Sequence, residues 1–288
     1  MKRFSKLHLL CMLAVLSLSN LSHAKSHGEY AASSEELTFE SNGKKMSGFI
    51  YQAAGKGPHP SVLLLHGYPG NEKNLDVAQA LRSEGWNVVF FHYRGAWGSE
   101  GEFSFLNAEA DVQSVLKYMK NNADKLRIDE KSISLVGHSM GGHLSIAGIL
   151  DNPAVSCAVA YDGANLGVND LGIAADPATT IPWEEYSDTL FMLEGWSGEK
   201  ALTELKENAK ALNLVRRVNS LNGRPILLIP ADTAVIPMES HITPLLTALR
   251  GTKNSKISYK LISDDHSFNS SRAELITTTI DFLESNCK

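Results

Sequence analysis

Short apolar runs recur along this chain, separated by longer segments in which apolar residues repeat every three or four positions. The runs predict strands and the longer segments predict helices. The predicted strands cover residues 36–39, 46–51, 61–65, 87–91, 133–136, 154–160, 225–229 and 257–262. The predicted helices cover residues 74–84, 108–119, 199–218, 238–249 and 272–283, together with a helix that follows Ser139.

This alternation predicts the α/β fold class, with a mostly parallel central sheet and helices on both faces. Continuous apolar runs such as 61–65 and 87–91 are typical of parallel strands buried on both sides. The first two runs flank a polar turn at Ser41–Lys44, which predicts an antiparallel hairpin at one edge of the sheet.

One long connection, residues 163–221, interrupts the alternation. It carries Trp183, Trp196 and many polar residues, and residues 199–218 have a helical pattern. We interpret it as a cap or lid inserted between two strands of the sheet, because its aromatic side chains are suited to covering an apolar surface. The alternative is a peripheral decoration.

Residues 1–24 have the pattern of a secretory signal peptide. Lys2 and Arg3 precede an apolar core at 9–16, and small residues precede the cleavage point expected after Ala24. The alternative is an uncleaved anchor, although the apolar core is shorter than the roughly 20 residues that span a bilayer. Residues 25–288 would then form one domain of a periplasmic or secreted protein, without a stable membrane anchor.

Charge and cysteine content narrow the possible partners. The formal charge is −5, and removal of residues 1–24 leaves −8, which argues against nucleic acids and anionic membranes as partners. Cys157 and Cys287 remain after cleavage. We expect Cys157 to be a free core residue, with a bridge to Cys287 as the alternative in an oxidising compartment.

The candidate nucleophile is Ser139, in the segment Gly137-His138-Ser139-Met140-Gly141-Gly142. This G-x-S-x-G pattern stands between a predicted strand and a predicted helix, the context in which it forms a sharp turn that exposes the serine hydroxyl. Outside that context, small residues at these positions would indicate only a tight turn.

Ser-His-acid catalysis in this context runs in the chain order serine, acid, histidine. His266 follows the last predicted strand and is the candidate general base. Asp232 follows the preceding strand and is the candidate acid, with Asp162 as the rival. The backbone amides of Tyr68 and Met140 are the candidate oxyanion donors. We expect His66 to brace the loop of Tyr68 rather than to take part in catalysis.

Taken together, these segments resemble the α/β-hydrolase family. The arginine-glycine segment and the compact histidine loop are similar to those of the dienelactone-hydrolase and prolyl-oligopeptidase-like branch. The residues that carry the resemblance, in the order of the family, are His66-Gly67-x-x-Gly70, Tyr93-Arg94-Gly95-x-x-Gly98-x-x-Gly101, Gly137-x-Ser139-x-Gly141-Gly142, Asp232 and Asp265-His266-Ser267-Phe268. The resemblance implies the α/β-hydrolase fold. The chain departs from the branch in one place, since counting back from Pro237 puts the acid position on Thr233.

The leading functional hypothesis is a serine hydrolase that cleaves a carboxylic ester through an acyl-enzyme. A serine peptidase or amidase of the prolyl-oligopeptidase-like type, acting on short peptides, is the second hypothesis. The third is a binding protein on an inactive hydrolase scaffold. We expect no metal and no organic cofactor, because no residue cluster has zinc-ligand spacing and Gly95-x-x-Gly98 lacks a dinucleotide-binding context. The oligomeric state is left open.

Overall fold

The computed structural model describes residues 29–172 and 177–288, and an eight-stranded sheet forms its centre. The strands are β1 (Ser33–Ser41), β2 (Lys44–Gln52), β3 (His59–Leu65), β4 (Asn87–Phe91), β5 (Ile128–His138), β6 (Val155–Tyr161), β7 (Ile226–Ile229) and β8 (Ile257–Tyr259). Their order in the sheet is β1-β2-β4-β3-β5-β6-β7-β8.

The sheet is parallel except at one edge. β1 pairs with β2, and β2 with β4, in antiparallel register, whereas every pair from β4 to β8 is parallel. Asn42 and Gly43 join β1 to β2 with φ values of 49° and 72°, the left-handed geometry of a tight hairpin turn. The predicted α/β fold with an antiparallel edge is confirmed.

Helices cover both faces of the sheet. They are α1 (Leu75–Ser83), α2 (Phe105–Asn121), α3 (Ala123–Leu126), α4 (Met140–Asp151), α5 (Pro177–Asp188), α6 (Gly198–Glu207), α7 (Ala209–Leu212), α8 (Thr243–Arg250) and α9 (Arg272–Asn286). Side chains of α1 and α9 share one core cluster with Val62 and Leu64, whereas those of α2, α4 and α8 share another with Leu63 and Leu65. Successive residues of a strand point to opposite faces, so the run Val62 to Leu65 of β3 supplies apolar side chains to both clusters.

The connection between β6 and β7 contains α5, α6 and α7. The single helix predicted for 199–218 is broken. α6 ends at Glu207 with Asn208 as its C-cap, and the side chain of Asn213 accepts a hydrogen bond from the Val215 amide to start a 3-10 turn. The Trp183 ring lies 5.7 Å from that of Tyr68, and the Trp196 ring lies 5.0 Å from that of Phe103. The connection therefore packs against the loop that follows β3.

None of the helices that the structure describes is long and apolar enough to cross a membrane. The signal peptide predicted at residues 1–24 lies outside the described residues.

A disulfide bond joins Cys157 in β6 to Cys287 at the end of α9, with the two Cα atoms 5.6 Å apart. The expectation that Cys157 is a free core thiol was therefore wrong. Its side chain points to the sheet face that α9 covers, and the last turn of α9 brings Cys287 onto that face. The bridge connects two residues 130 positions apart in the sequence.

We predict that the double variant Cys157→Ala/Cys287→Ala loses about 2–5 kcal/mol of unfolding free energy, because a bridge across a long loop restricts the unfolded chain. Urea denaturation of the oxidised wild type and of the double variant would measure the difference. Two equal unfolding free energies would show that the bridge does not stabilise the fold. The double variant is preferable to either single one, since a single substitution leaves a free thiol.

Candidate active site

The turn between β5 and α4 places Ser139 at its tip, with φ 59° and ψ −117°. A positive φ is strained for a residue that carries a Cβ. Only glycine fits on either side of the tip. A Cβ on Gly137 would lie 1.9 Å from the Gly141 carbonyl oxygen, and a Cβ on Gly141 would lie 2.1 Å from that of Leu65. The glycines thus allow strand, helix and turn to pack closely enough to form the bend.

Backbone hydrogen bonds hold Ser139 in this conformation and leave its side chain available. Its amide donates to the Tyr161 carbonyl oxygen at 2.9 Å, and its carbonyl accepts from the Ala164 amide at 3.1 Å. The side chain is half-buried and does not cap α4. The hydroxyl is therefore not committed to a structural hydrogen bond within the helix.

His266 and Asp162 form the hydrogen-bonded pair of the site. His266 Nδ1 lies 2.5 Å from Asp162 Oδ2. The Asp162 side chain is completely buried, and its second oxygen, Oδ1, accepts from the Ala231 amide at 3.1 Å. Because a carboxylate only accepts, His266 Nδ1 carries the proton in this pair and Nε2 is left free to act as a base.

His266 pairs with Asp162 and not with Asp232, the acid predicted from the sequence, so Asp162 replaces Asp232 as the candidate acid. Asp232 is exposed, whereas Asp162, considered as its rival, follows the neighbouring strand β6. β6 and β7 are parallel neighbours, so both carboxyl ends lie at the same edge of the sheet. Sequence order alone does not distinguish two acids that follow adjacent strands.

Thr233 occupies the position at which the sequence departs from the related branch. Its Oγ1 lies 3.5 Å from Asp162 Oδ2. The loop after β7 therefore supplies a hydroxyl and the Ala231 amide around the carboxylate, while β6 supplies the carboxylate itself.

The loop after β3 lies directly against the serine turn. A Cβ on Gly67 would be 3.0 Å from Ser139 Cβ and 3.2 Å from the His138 carbonyl oxygen. Tyr68 is the next residue, so its amide lies beside the turn. Met140 is the first residue of α4, and the amides of a first helical turn have no acceptor within the helix. Both backbone groups named as oxyanion donors thus belong to segments that meet at Ser139.

The Tyr68 side chain is held by the connection between β6 and β7. Trp196 Nε1 donates to the Tyr68 hydroxyl at 2.7 Å, and the Trp183 ring packs beside it. Burial raises the pKa of the Tyr68 phenol, so the hydroxyl stays protonated.

His66 is buried behind this loop, in keeping with the bracing role expected for it. Its Nδ1 lies 2.8 Å from the Gly67 carbonyl oxygen, and Tyr93 donates its hydroxyl to the His66 carbonyl at 2.9 Å. Burial and the neighbouring His92 lower the pKa of His66 to about 3, which keeps the ring neutral.

Two further histidines around the site were not identified from the sequence. His143 Nε2 donates to Glu109 Oε1 at 2.8 Å, while its Nδ1 accepts from the Leu166 amide at 3.3 Å. Burial alone would raise the pKa of Glu109, but the hydrogen bond from His143 and the charge of Arg217 lower it to about 2. His143 lies one helical turn after Ser139, and this spacing was the available signal.

His138, between Gly137 and Ser139, is the second. Its Nε2 lies 2.7 Å from the His266 carbonyl oxygen, and the two rings are 4.6 Å apart. Burial, followed by the proximity of His266, lowers the pKa of His138 to about 3. Its only signal in the sequence was its place inside the serine motif.

Comparison with known proteins agrees with this architecture. Residues 49–162 match the family model described as BD-FAE. Lysophosphatidylserine lipase ABHD12 of Danio rerio is 32% identical over 94 residues, which are 32% of this chain and 23% of that protein. The first curated relatives, from Mycobacterium tuberculosis, are 26% identical, and the chain spans 39% of their length.

Two solved structures cover most of the chain. The Pyrococcus furiosus esterase Pf2001 has a TM-score of 0.65 and 18% identity, covering 89% of this chain and 92% of that one. Est1E from Butyrivibrio proteoclasticus, solved with ferulic acid, has a TM-score of 0.66 and 16% identity, covering 87% of this chain and 98% of that one. The chain shares the α/β-hydrolase fold with these two proteins. Its placement in the dienelactone-hydrolase and prolyl-oligopeptidase-like branch stays a prediction.

We predict that Asp162→Asn lowers the rate of ester hydrolysis by about 10⁴-fold, because the amide cannot hold the tautomer of His266 that a base requires. Asp232→Asn is the matched control, and its rate should stay within about twofold of the wild type, since surface changes have small effects. Steady-state rates with p-nitrophenyl acetate would compare the two variants. The reverse order of effects would return the acid to Asp232.

We predict that the fold loses stability as the pH falls below 6.5. His66 and His138 are buried and neutral with pKa values of about 3, against 6.5 for the ordinary side chain, so the unfolded state binds more protons in this window. Each ring contributes a slope of about 1.4 kcal/mol per pH unit between these values.

Calorimetric unfolding in buffers of different ionisation enthalpy would measure this proton uptake. We expect at least about two protons to be taken up on unfolding at pH 5. Unfolding without net proton uptake would show that the two rings are already charged in the folded protein.

Proposed function

We propose that this protein is a serine hydrolase that cleaves a carboxylic ester through an acyl-enzyme intermediate. The observation that carries the proposal is the hydrogen bond between buried Asp162 and His266 at the sheet edge where Ser139 stands on its strained turn. The three residues keep the chain order serine, acid, histidine.

In the first half of the reaction, Ser139 Oγ attacks the ester carbonyl carbon while His266 Nε2 takes the hydroxyl proton. The carbonyl oxygen becomes an oxyanion. His266 then returns the proton to the departing alkoxide, which leaves as the alcohol, and the acyl group stays on Ser139. In the second half, water attacks the acyl carbon with the help of His266 and releases the carboxylic acid and the free serine.

Asp162 has two tasks in this scheme. It keeps the proton of neutral His266 on Nδ1, and it stabilises the imidazolium that forms when Nε2 is protonated. Complete burial strengthens both interactions, since solvent does not screen them. The Ala231 amide on Oδ1 fixes the orientation of the carboxylate.

The amides of Tyr68 and Met140 would stabilise the oxyanion. Loss of one such donor costs about 2.7–4 kcal/mol of transition-state stabilisation in other enzymes. Tyr68 is a well-supported donor here because its ring is held by Trp196 and its main chain lies beside the serine turn.

A small-molecule ester is the proposed substrate, and a short peptide or amide is the second candidate. The connection between β6 and β7 packs beside the Tyr68 loop. The binding-protein hypothesis rested on the displaced acid position after β7. The pairing of Asp162 with His266 supplies an acid from another strand end and so speaks against that hypothesis.

We also propose that the protein acts in the periplasm or outside the cell, after removal of residues 1–24. The Cys157–Cys287 bridge supports this location, since disulfides persist in oxidising compartments.

We predict that Ser139→Ala abolishes hydrolysis of p-nitrophenyl acetate, with a loss of at least about 10⁴-fold in kcat, because the nucleophile is removed. It should also abolish labelling by a fluorophosphonate. Ser270→Ala, at an exposed serine, is the control and should react at the wild-type rate. Labelling or turnover that survives in Ser139→Ala would refute the assignment of Ser139 as the nucleophile.

A parallel panel of aminoacyl nitroanilides and esters of graded acyl length would separate the two substrate classes. We expect the esters to be cleaved faster. Nitroanilides cleaved at the higher kcat/KM would favour the peptidase.

A further inference from the structure

His138 is the last residue of β5 and contacts the main chain of the candidate base. The residue is 5% exposed, and its Nε2 lies 2.7 Å from the His266 carbonyl oxygen. A carbonyl oxygen only accepts, so Nε2 carries the proton and Nδ1 is a bare acceptor. The 4.6 Å separation of the two ring centroids adds a direct packing contact.

The other nitrogen of His138 is costly for the fold. Nδ1 is buried and has no hydrogen-bond partner among the described residues. An unsatisfied buried acceptor costs about 1–3 kcal/mol, so a residue that leaves one unpaired is not chosen for stability alone. What the side chain provides in spite of this cost is the hydrogen bond from Nε2 to the His266 carbonyl oxygen.

His266 needs such support because it belongs to a loop. It lies between β8 and α9, and its ring is oriented by Asp162 from the end of β6. The side-chain hydrogen bond fixes the direction of the ring, but it does not fix the position of the main chain. His138 donates to that main chain from the end of β5, the strand that also carries Ser139 into its turn.

We propose that His138 is a positioning residue for His266, and that its hydrogen bond to the His266 carbonyl sets the distance between the base and Ser139. The role of His266 as the base rests on the proposed function. The juxtaposition of the two histidines does not. One strand end then delivers both the nucleophile and the donor that places the base.

The decisive variants are His138→Phe, which keeps an aromatic ring without a donor, and His138→Gln, whose amide can reach the place of Nε2. We expect His138→Phe to lower kcat and the fluorophosphonate labelling rate by about 10- to 100-fold, as a misplaced base does. KM should stay within about twofold, because no substrate contact is removed. His138→Gln should recover most of the loss.

His59→Phe is the matched control. His59 is also buried and also contacts carbonyl oxygens, those of Gly85 and Gly55 at 3.1 Å each, but it does not contact His266. Its substitution should lower the melting temperature without changing kcat. Equal losses of kcat in His59→Phe and His138→Phe would reduce His138 to a structural residue and overturn the proposal.

An NMR measurement tests the positioning without turnover. The proton on His266 Nδ1, bound to Asp162, should give a downfield resonance in the wild type and in His138→Gln that broadens or shifts upfield in His138→Phe. An unchanged resonance in folded His138→Phe overturns the proposal even if the protein is a serine hydrolase. A wild type that no fluorophosphonate labels contradicts the proposed function, while the resonance still reports on His138.

Should His138→Phe not fold, His138→Asn replaces it in the comparison with His138→Gln. The shorter amide of Asn does not reach the place of Nε2. In His138→Asn the downfield resonance should therefore broaden or shift upfield and the labelling rate should fall, whereas both should stay near the wild type in His138→Gln. Equal behaviour of the two variants would overturn the proposal.

Discussion

The hydrogen bond between buried Asp162 and His266 connects segments that are far apart in the sequence. Asp162 directly follows β6, His266 follows β8, and the Ala231 amide on the same carboxylate belongs to the loop after β7. A charged carboxylate removed from water must be satisfied by nearby donors, so these three segments are held together at one edge of the sheet. Ser139 reaches the same edge from β5, and the site depends on this convergence of strand ends.

Two other contacts extend this arrangement beyond the site. The hydrogen bond from Trp196 to the Tyr68 hydroxyl links the connection between β6 and β7 to the loop that carries a candidate oxyanion amide. The disulfide ties the start of β6 to the end of α9, the helix that follows the loop of His266. Both contacts restrain elements on which the position of an acid, a base or an amide depends.

Much of the fold was predictable because local physics determines it. The apolar run 87–91 coincides with β4, and the polar turn after residue 40 forms the expected hairpin. The prediction of one helix over 199–218 was wrong because Asn208 and Asn213 interrupt the helix, and apolar periodicity alone does not reveal such breaks. The prediction of a free thiol at Cys157 was wrong because burial in a strand does not reveal which helix covers that strand.

The sequence by itself determined the α/β architecture, the serine turn and the histidine after the last strand, since strand length, glycine placement and chain order are properties of neighbouring residues. Only the tertiary structure placed Asp162 rather than Asp232 beside His266, paired the two cysteines and brought His138 to His266. Each of these depends on which strand ends and helix ends meet in space. β6 and β7 are parallel neighbours, so two acids distant in sequence reach one edge, and burial and hydrogen bonding select Asp162.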